Sequence, residues 1–323
     1  MLRSHMRYIA VLLLIPVLAS CRGYPNILMS DSDVTSLAWS PDGQKLAIGS
    51  SNGTINLWDI PTNEKLLTIN LKSSITSLAW SPRGDLLASG LWSESNQSTI
   101  SLWDVHSGLS IQTIGVPTPK LRTLSWSPNG LTLSAGIQDN IILLWDIDSG
   151  LVRTLESHAG EVFSLAWSPD GQLLAAGTQD GSVNFWDSSH DELLHTLTFS
   201  TGYYVADIAW SPDGKSLASA SCFTGSNQPE NCALVLWNPS NNEHLQTMRG
   251  DNYDFTSIAW SPTGQVIASA FMNGDVILFS PDSGERMRTL RTPIGTTIIA
   301  WSPDGQTLAA GSEGGSVLLW NLY

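Results

Sequence analysis

The chain has 323 residues, of which 42% are hydrophobic and 14% are charged, and its formal net charge at pH 7 is −14. So large an acidic excess argues against nucleic acid as a partner, which needs a basic surface, and against an electrostatic grip on anionic lipid. The acidity also has a plainer interpretation, which is that it keeps a single globular domain soluble.

Residues 1–21 have the pattern of a lipoprotein-type signal peptide. Arg3 and Arg7 form a positive segment, and residues 8–17 are an apolar run too short to span about 30 Å of hydrocarbon as a helix. The following Leu-Ala-Ser-Cys resembles a bacterial lipobox, which predicts that Cys21 is lipidated and becomes the mature N-terminus. The alternatives are an ordinary signal peptide cut nearby and an uncleaved anchor. Lipidation predicts an extracytoplasmic protein, attached to a membrane only through its lipid, with residues 22–25 as a short tether.

After the tether, the motif Trp-Ser-Pro-x-Gly recurs seven times. Successive copies are separated by 41, 46, 41, 43, 50 and 41 residues. A period near 40 is the signature of a repeat architecture. The copies begin at Trp39, Trp80, Trp126, Trp167, Trp210, Trp260 and Trp301.

One repeat reads as four short strands. In the fourth copy, Val162–Trp167 is β-rich, and the Ser-Pro-Asp-Gly that follows suits a type I turn. Residues 173–177, 182–187 and 193–197 predict three further strands, and the small residues at 175–177 allow neighbouring sheets to approach closely. Such a four-stranded antiparallel meander has two apolar faces. Radial repetition covers both faces, and this is the β-propeller solution.

A second marker near the end of each repeat strengthens this prediction. The third strand ends in Leu-Trp-Asp or a close variant, centred on Trp58, Trp103, Trp145, Trp186, Trp237, Phe279 and Trp320. With both markers, residues 26–323 resemble the WD40-repeat family. The resemblance implies an all-β, seven-bladed propeller that acts as a non-enzymatic protein-interaction scaffold without a cofactor.

The chain departs from the family pattern in one respect. The family's Gly-His dipeptide survives only as Ser157-His158, and Ala176 occupies the place expected for Ser or Thr. The hydrogen-bond network that joins these residues to the Trp is therefore expected to be nearly absent. We expect the repeat tryptophans to stabilise the blades by apolar burial instead.

The two ends of the chain predict how the ring closes. The last repeat lacks its own fourth strand, and residues 26–29 lie where the other repeats have one. We therefore expect this N-terminal segment to complete the last blade, which removes an exposed sheet edge.

Two repeats carry insertions between their second and third strands. The distance between the two markers is 19 residues in five repeats, 23 in the second and 27 in the fifth, which places the extra residues at 91–98 and 223–231. Insertions on one face usually mark the binding face. Aromatic residues that the repeat does not explain gather there, and we predict that they bind a protein partner: Trp92, Tyr203, Tyr204, Phe223, Tyr253 and Phe271.

Two cysteines, Cys222 and Cys232, flank the second insertion. In an exported protein they are plausible disulfide partners, and the alternative is two small buried hydrophobic residues.

No catalytic or metal-binding motif is present. The histidines His190 and His195 are five residues apart and lie at a turn, so they do not form a zinc-binding helix. We predict no metal and no cofactor, and a monomeric propeller. The alternative function is binding or processing of a small molecule at the channel mouth. The first-strand positions assigned to the channel carry only one charge, that of Arg122, which argues against that alternative.

Overall fold

The computed structural model describes residues 25–92, 98–116, 118, 120–138, 140–157, 160–198, 202–223, 232–250, 253–293 and 295–322. The signal peptide, Cys21, the tether up to residue 24 and most of both insertions lie outside the described residues. Within the described part, no helix is long and apolar enough to cross a membrane.

The described chain forms seven four-stranded antiparallel sheets, and each sheet is one blade. Blade 1 contains β2 (Val34–Trp39), β3 (Lys45–Ser50), β4 (Thr54–Asp59) and β5 (Glu64–Asn70). Blade 2 contains β6 (Ile75–Trp80), β7 (Leu86–Leu91), β8 (Ser98–Asp104) and β9 (Ser110–Val116). Blade 3 contains β10 (Leu121–Trp126), β11 (Thr132–Ile137), β12 (Ile141–Asp146) and β13 (Val152–Glu156).

Blades 4 to 6 repeat this order. Blade 4 contains β14 (Val162–Trp167), β15 (Leu173–Thr178), β16 (Ser182–Asp187) and β17 (Glu192–Thr198). Blade 5 contains β18 (Tyr203–Trp210), β19 (Leu217–Phe223), β20 (Ala233–Asn238) and β21 (Glu243–Met248). Blade 6 contains β22 (Phe255–Trp260), β23 (Ile267–Phe271), β24 (Asp275–Phe279) and β25 (Arg286–Arg291).

Blade 7 joins the two ends of the chain and confirms the predicted closure. It contains β26 (Thr296–Trp301), β27 (Thr307–Ser312), β28 (Ser316–Asn321) and, from the N-terminus, β1 (Asn26–Met29). Strand β1 runs antiparallel to β28, with Asn26 opposite Leu319 and Met29 opposite Ser316. The protein is therefore the all-β, seven-bladed propeller that the repeats predict.

The first strand of every blade is the innermost one, and these strands pack against one another around the ring. The small residues of the second strands allow this packing, as predicted. At Gly177, for example, an added Cβ would lie 2.6 Å from Cγ1 of Val205 in the next blade. Buried Val, Leu, Ile and Trp side chains fill the space between neighbouring blades.

The first-marker tryptophans do more than bury apolar area, which extends the sequence-based expectation. Several donate an indole N–H to a backbone carbonyl of the preceding blade, because the ring crosses the boundary between blades. Trp39 donates to Ala300 at 3.1 Å and Trp126 donates to Ala79 at 3.0 Å. The family-type pairing of the second-marker Trp with a Ser is also kept in two blades, where Trp103 donates to Ser89 and Trp237 to Ser219.

The Trp-Ser-Pro-x-Gly motif forms the predicted turn. In the fourth copy the Gly171 amide donates to the Ser168 carbonyl at 2.8 Å, and the φ of Gly171 is +72°. The Ser168 hydroxyl donates to Asp170, whose carboxylate also accepts from the Gln172 amide. These two hydrogen bonds, in that order of importance, lower the pKa of Asp170.

The aspartates of the Trp-Ser-Pro-x-Gly turns should make part of the free energy of unfolding sensitive to acid. Their folded pKa values lie below the ordinary value, so the stability that they contribute is present above that value and is lost as the pH falls through the folded pKa. Substituting all four by Asn should lower the free energy of unfolding slightly at neutral pH, and this difference should shrink below about pH 4. Denaturant titration over a pH series measures it. The four residues are Asp42, Asp170, Asp213 and Asp304.

The third repeat supplies the control, because Asn129 occupies the same place and accepts from Ser127 at 2.7 Å. Asn129→Asp should add acid sensitivity. If the fourfold variant and the unaltered chain have the same pH profile, the turn carboxylates do not contribute.

Candidate interaction surface at the channel mouth

The ends of the propeller differ, and two names distinguish them. The turn face carries the Trp-Ser-Pro-x-Gly turns. The loop face is where the inner strands begin and the second strands end, and backbone hydrogen bonds join the two: Trp92 donates to Ser74, Gln138 to Lys120 and Met272 to Asp254. Trp92, on the loop face, belongs to the described part of the first insertion, and Cys222 and Cys232 flank the second.

Each inner strand carries one extra residue at a register shift close to its loop-face end. Each shift falls at a position that the sequence assigns to the channel. These positions hold Thr35, Thr76, Arg122, Phe163, Ala206, Thr256 and Thr297. The channel mouth is therefore built from residues outside the regular pairing, which are Thr in four blades and Arg, Phe and Ala in the other three.

A cavity of about 400 Å³ opens where blades 1, 2 and 3 meet. Its lining includes Thr35, Ser74, Thr76, Trp92, Lys120 and Arg122. Trp92 is 39% exposed, as expected for a residue outside the repeat pattern. The structure thus brings one of the predicted aromatic residues together with two cations.

A row of contacts continues from this cavity into blade 5. The Arg122 guanidinium donates from Nε and Nη2 to the two carboxylate oxygens of Glu161, at 3.0 and 3.1 Å. It also lies 5.1 Å from the ring centre of Phe163, whose ring meets Tyr204 edge-on at 6.0 Å. Phe163 and Glu161 were not among the residues predicted for this surface. Phe163 occupies the same strand position as Arg122, one repeat later. Alignment of the repeats could therefore have placed Phe163 on this surface.

Blade 5 rises higher on the loop face than its neighbours. Strand β18 is eight residues long, and Tyr203 and Tyr204 add two pairs to its ladder with β19, opposite Phe223 and Cys222. Burial and, second, the nearby charge of Asp254 raise the pKa of Tyr204, so this phenol stays neutral at physiological pH. Both predicted tyrosines therefore lie on an extended hairpin.

A disulfide joins Cys222, on the second strand of this hairpin, to Cys232, and the two Cα atoms are 4.2 Å apart. Both cysteines are buried, and Asp254 lies beside Cys232 with one carboxylate oxygen 3.3 Å from the sulfur. The three groups lie within 4.8 Å of one another, but the disulfide removes both thiolates that a metal would need.

The disulfide should stabilise blade 5. Because the bridged residues are only 10 apart in sequence, the constraint on the unfolded chain is worth about 2–3 kcal/mol at most. Cys222→Ala with Cys232→Ala should lower the free energy of unfolding by that amount under non-reducing conditions and should match the reduced unaltered chain. A non-reducing peptide map of protein from its native compartment gives the direct test, and two free thiols there would contradict the prediction.

The remaining predicted aromatics have different placements. Tyr253 is 48% exposed on the loop face of blade 6. The backbone of Phe223 ends β19, and its side chain lies outside the described part.

Phe271 was expected on the exposed surface, and the structure corrects this. It is only 1% exposed and packs against Phe255 with ring centres 4.7 Å apart. Gly250 makes room for the ring, because a Cβ there would lie 2.3 Å from Phe271 Cζ. The same register position is buried in other blades, where it holds Ile137 and Thr178. Phe271 therefore belongs to the core of blade 6 and not to the candidate surface.

Next to the first-strand channel positions lies a buried carboxylate, Asp207, that was not predicted from the sequence. Asp207 lies one residue beyond the channel position at Ala206 and accepts hydrogen bonds from Ser164, Ser257 and the amides of Ile208 and Ile258. Burial raises its pKa, against the effect of those four bonds. In blades 1 and 2 the corresponding residues, Ser36 and Ser77, accept from the amide of the next blade in the same way. Asp207 thus ties blades 4, 5 and 6 together and offers no free acid to a ligand.

Comparison with known proteins agrees with this architecture. Residues 120–323 match the family model described as the IFT122 first beta-propeller, and residues 23–59 and 64–104 match the WD domain, G-beta repeat.

Several eukaryotic proteins are similar to this chain. Over 42% of the length of this chain, the sequence is 30% identical to the anaphase-promoting complex subunit cdc20 of Dictyostelium discoideum. It is 26% identical to the small ribosomal subunit protein RACK1 of Schizosaccharomyces pombe over 35% of its length, and 28% identical to protein groucho of Drosophila melanogaster over 43%. The matches cover 28%, 38% and 19% of those relatives.

The IFT122 first beta-propeller model covers more than half of the chain, and the WD domain model matches repeats in the part that precedes it. The protein therefore belongs to the WD40-type β-propeller family described by the IFT122 first beta-propeller.

Proposed function

We propose that this protein is a non-enzymatic interaction scaffold, held at a membrane outside the cytoplasm by a lipid on Cys21, and that its loop face binds a protein partner. The observation that carries the proposal is the row of basic and aromatic side chains that runs from Trp92 through Arg122 and Phe163 to Tyr204 on that face. Aromatic and arginine side chains are the types that dominate binding energy at protein interfaces.

The relatives support protein binding in general terms. By their printed names, one is a subunit of the anaphase-promoting complex and another belongs to the small ribosomal subunit, so both are parts of larger assemblies. Because each match covers less than two-fifths of the relative, the partner of this chain does not follow from theirs.

The position of β1 indicates which face of the propeller a lipid on Cys21 would hold near the membrane. Asn26 begins β1 opposite Leu319, close to the end of the chain, where the Leu322 amide donates to Gln306 in a turn of the turn face. About five residues between Cys21 and β1, at roughly 3.4 Å each, reach less than about 20 Å. A lipid on Cys21 would hold the turn face near the membrane and leave the loop face accessible.

Capture of partners from intact cells by crosslinking tests the interaction surface. Trp92→Ala and Tyr253→Ala change exposed side chains of the loop face and should weaken capture. Asp42→Asn and Asp170→Asn change the turn face, keep its hydrogen bonds, and should leave capture intact. The reverse pattern would show that the partner binds the turn face.

Fatty-acid labelling tests the tether. The unaltered chain should incorporate label and Cys21→Ala should not, and equal labelling of the two would overturn the anchor. Stable retention requires more than one acyl chain, because a single myristoyl-length chain binds a bilayer only marginally.

The second candidate, a small molecule bound at the channel mouth, has less support. The cavity there is of ligand size, but it combines one aromatic wall with two cations and hydroxyl groups and opens onto the wider loop face. These features suit part of a larger ligand better than an enclosed small molecule.

A further inference from the structure

The cavity between blades 1, 2 and 3 is a local exception to the charge of the protein. The chain carries a net charge of −14, yet both titratable side chains that line this cavity, Lys120 and Arg122, are basic. Lys120 is exposed and forms no ion pair with any residue of the described ranges. A site of this kind attracts a carboxylate over the last several ångströms, where screening by salt is incomplete.

Arg122 shows the geometry with which this site would hold a carboxylate. Two of its N–H groups already bind Glu161 in the forked arrangement, and the guanidinium is fixed from one side by the ring of Phe163. A guanidinium has five N–H donors, and no residue of the described part accepts from the other three, so a second carboxylate can bind them. Its side chain remains 40% exposed despite the ion pair.

Trp92 and two threonines also line the cavity. Trp92 is exposed at the rim and provides an apolar surface beside the cations. Thr35 and Thr76 line the cavity, and their buried hydroxyls have no hydrogen-bond partner within the described part of the chain. A ligand that fits would present a carboxylate next to an apolar side chain.

We propose that this cavity binds an acidic segment of the partner protein, with a carboxylate between Lys120 and Arg122 and an apolar side chain against Trp92. This inference rests on the proposed function, because it names the chemistry of the segment that the loop face would take. The net negative charge of the propeller disfavours a broad acidic surface and favours a short segment that reaches the cavity.

Fluorescence anisotropy with two labelled octapeptides tests the chemistry. One alternates glutamate with leucine, and the other has glutamine in place of each glutamate. The purified protein should bind the glutamate peptide at least tenfold more tightly, and the affinity should fall as salt is added. Equal binding of the two peptides, or no binding of the glutamate peptide, would overturn the proposal.

Matched variants test the location. Lys120→Gln should weaken binding of the glutamate peptide about fivefold, and Trp92→Ala should weaken it at least tenfold. Lys215→Gln removes the same charge from a lysine that is 84% exposed on the turn face, and it should have no effect. Equal effects of Lys120→Gln and Lys215→Gln would exclude this cavity. Arg122→Gln combined with Glu161→Gln removes the guanidinium and neutralises the carboxylate that it pairs with. This double variant should also bind the glutamate peptide more weakly than the unaltered chain.

Three further outcomes distinguish a small-anion site, a wrong peptide chemistry and a wrong scaffold function. Displacement of the peptide by an equal concentration of free glutamate would identify a small-anion site and overturn the assignment of a peptide segment. If crosslinking still captures a partner through the loop face while no acidic peptide binds, the acidic segment is wrong and the proposed function stands. If the peptide binds at the cavity and nothing is captured from cells, the site is retained and the scaffold function is wrong.

Discussion

Replacing Leu28 by alanine is expected to lower the free energy of unfolding by about 2–5 kcal/mol. Leu28 is 1% exposed in β1 and packs into the core that joins blades 7 and 1. Four residue pairs with β28 and the hydrogen bond between the hydroxyls of Ser30 and Ser50 hold this strand in place. Among the described strands, β1 alone closes the ring through strand pairing, so its loss exposes the edge of β28 and the apolar face beneath it.

The same strand provides the control for this measurement. Ile27 precedes Leu28 but faces outward and is 51% exposed, so Ile27→Ala should change the free energy by less than about 0.5 kcal/mol. Denaturant titration of the two variants gives the comparison. Equal effects at the two positions would mean that β1 does not close the ring as the structure shows.

Replacing Phe185 by alanine is expected to cost about 3–5 kcal/mol. Its side chain is 0% exposed, and its ring stacks on His195 at 4.6 Å and meets Trp210 of blade 5 edge-on at 5.9 Å. The substitution leaves a cavity at the boundary of two blades, where neither sheet can move without disturbing its other neighbour.

An outward-facing neighbour serves as the control for Phe185. Leu194 lies on the outer strand next to His195 and is 48% exposed, so Leu194→Ala should leave the free energy within about 0.5 kcal/mol. The Phe185 variant should also alter the environment of His195, whose pKa burial lowers. A Phe185→Ala chain as stable as the Leu194→Ala chain would show that this boundary is not packed as described.

The fold could be predicted because each repeat specifies its own geometry. A Gly with positive φ, as at Gly171, fixes the turn, and the two markers fix the lengths of the strands on either side. The missing last strand and the spare strand at residues 26–29 then leave one way to close the ring. Because these local signals are repeated seven times, a strand predicted wrongly in one repeat is corrected by comparison with the other six.

The candidate surface was less predictable, because it depends on contacts between different blades. Trp92 and Tyr253 were found correctly as exposed residues, since nothing in the repeat requires them. Phe271 was misplaced because Gly250, 21 residues earlier, makes the space that buries its ring. The Arg122–Glu161 pair joins residues 39 apart, and no pattern within a single repeat indicates it.

The central claim is that the loop face binds the partner while the turn face does not. Site-specific photo-crosslinking in intact cells tests it most directly, with the photoreactive residue in place of Tyr253 in one chain and in place of Asp170 in another. Position 253 is exposed on the loop face, and position 170 is exposed in a turn of the turn face. We expect a protein adduct from position 253 and none from position 170. An adduct from position 170 alone would contradict it.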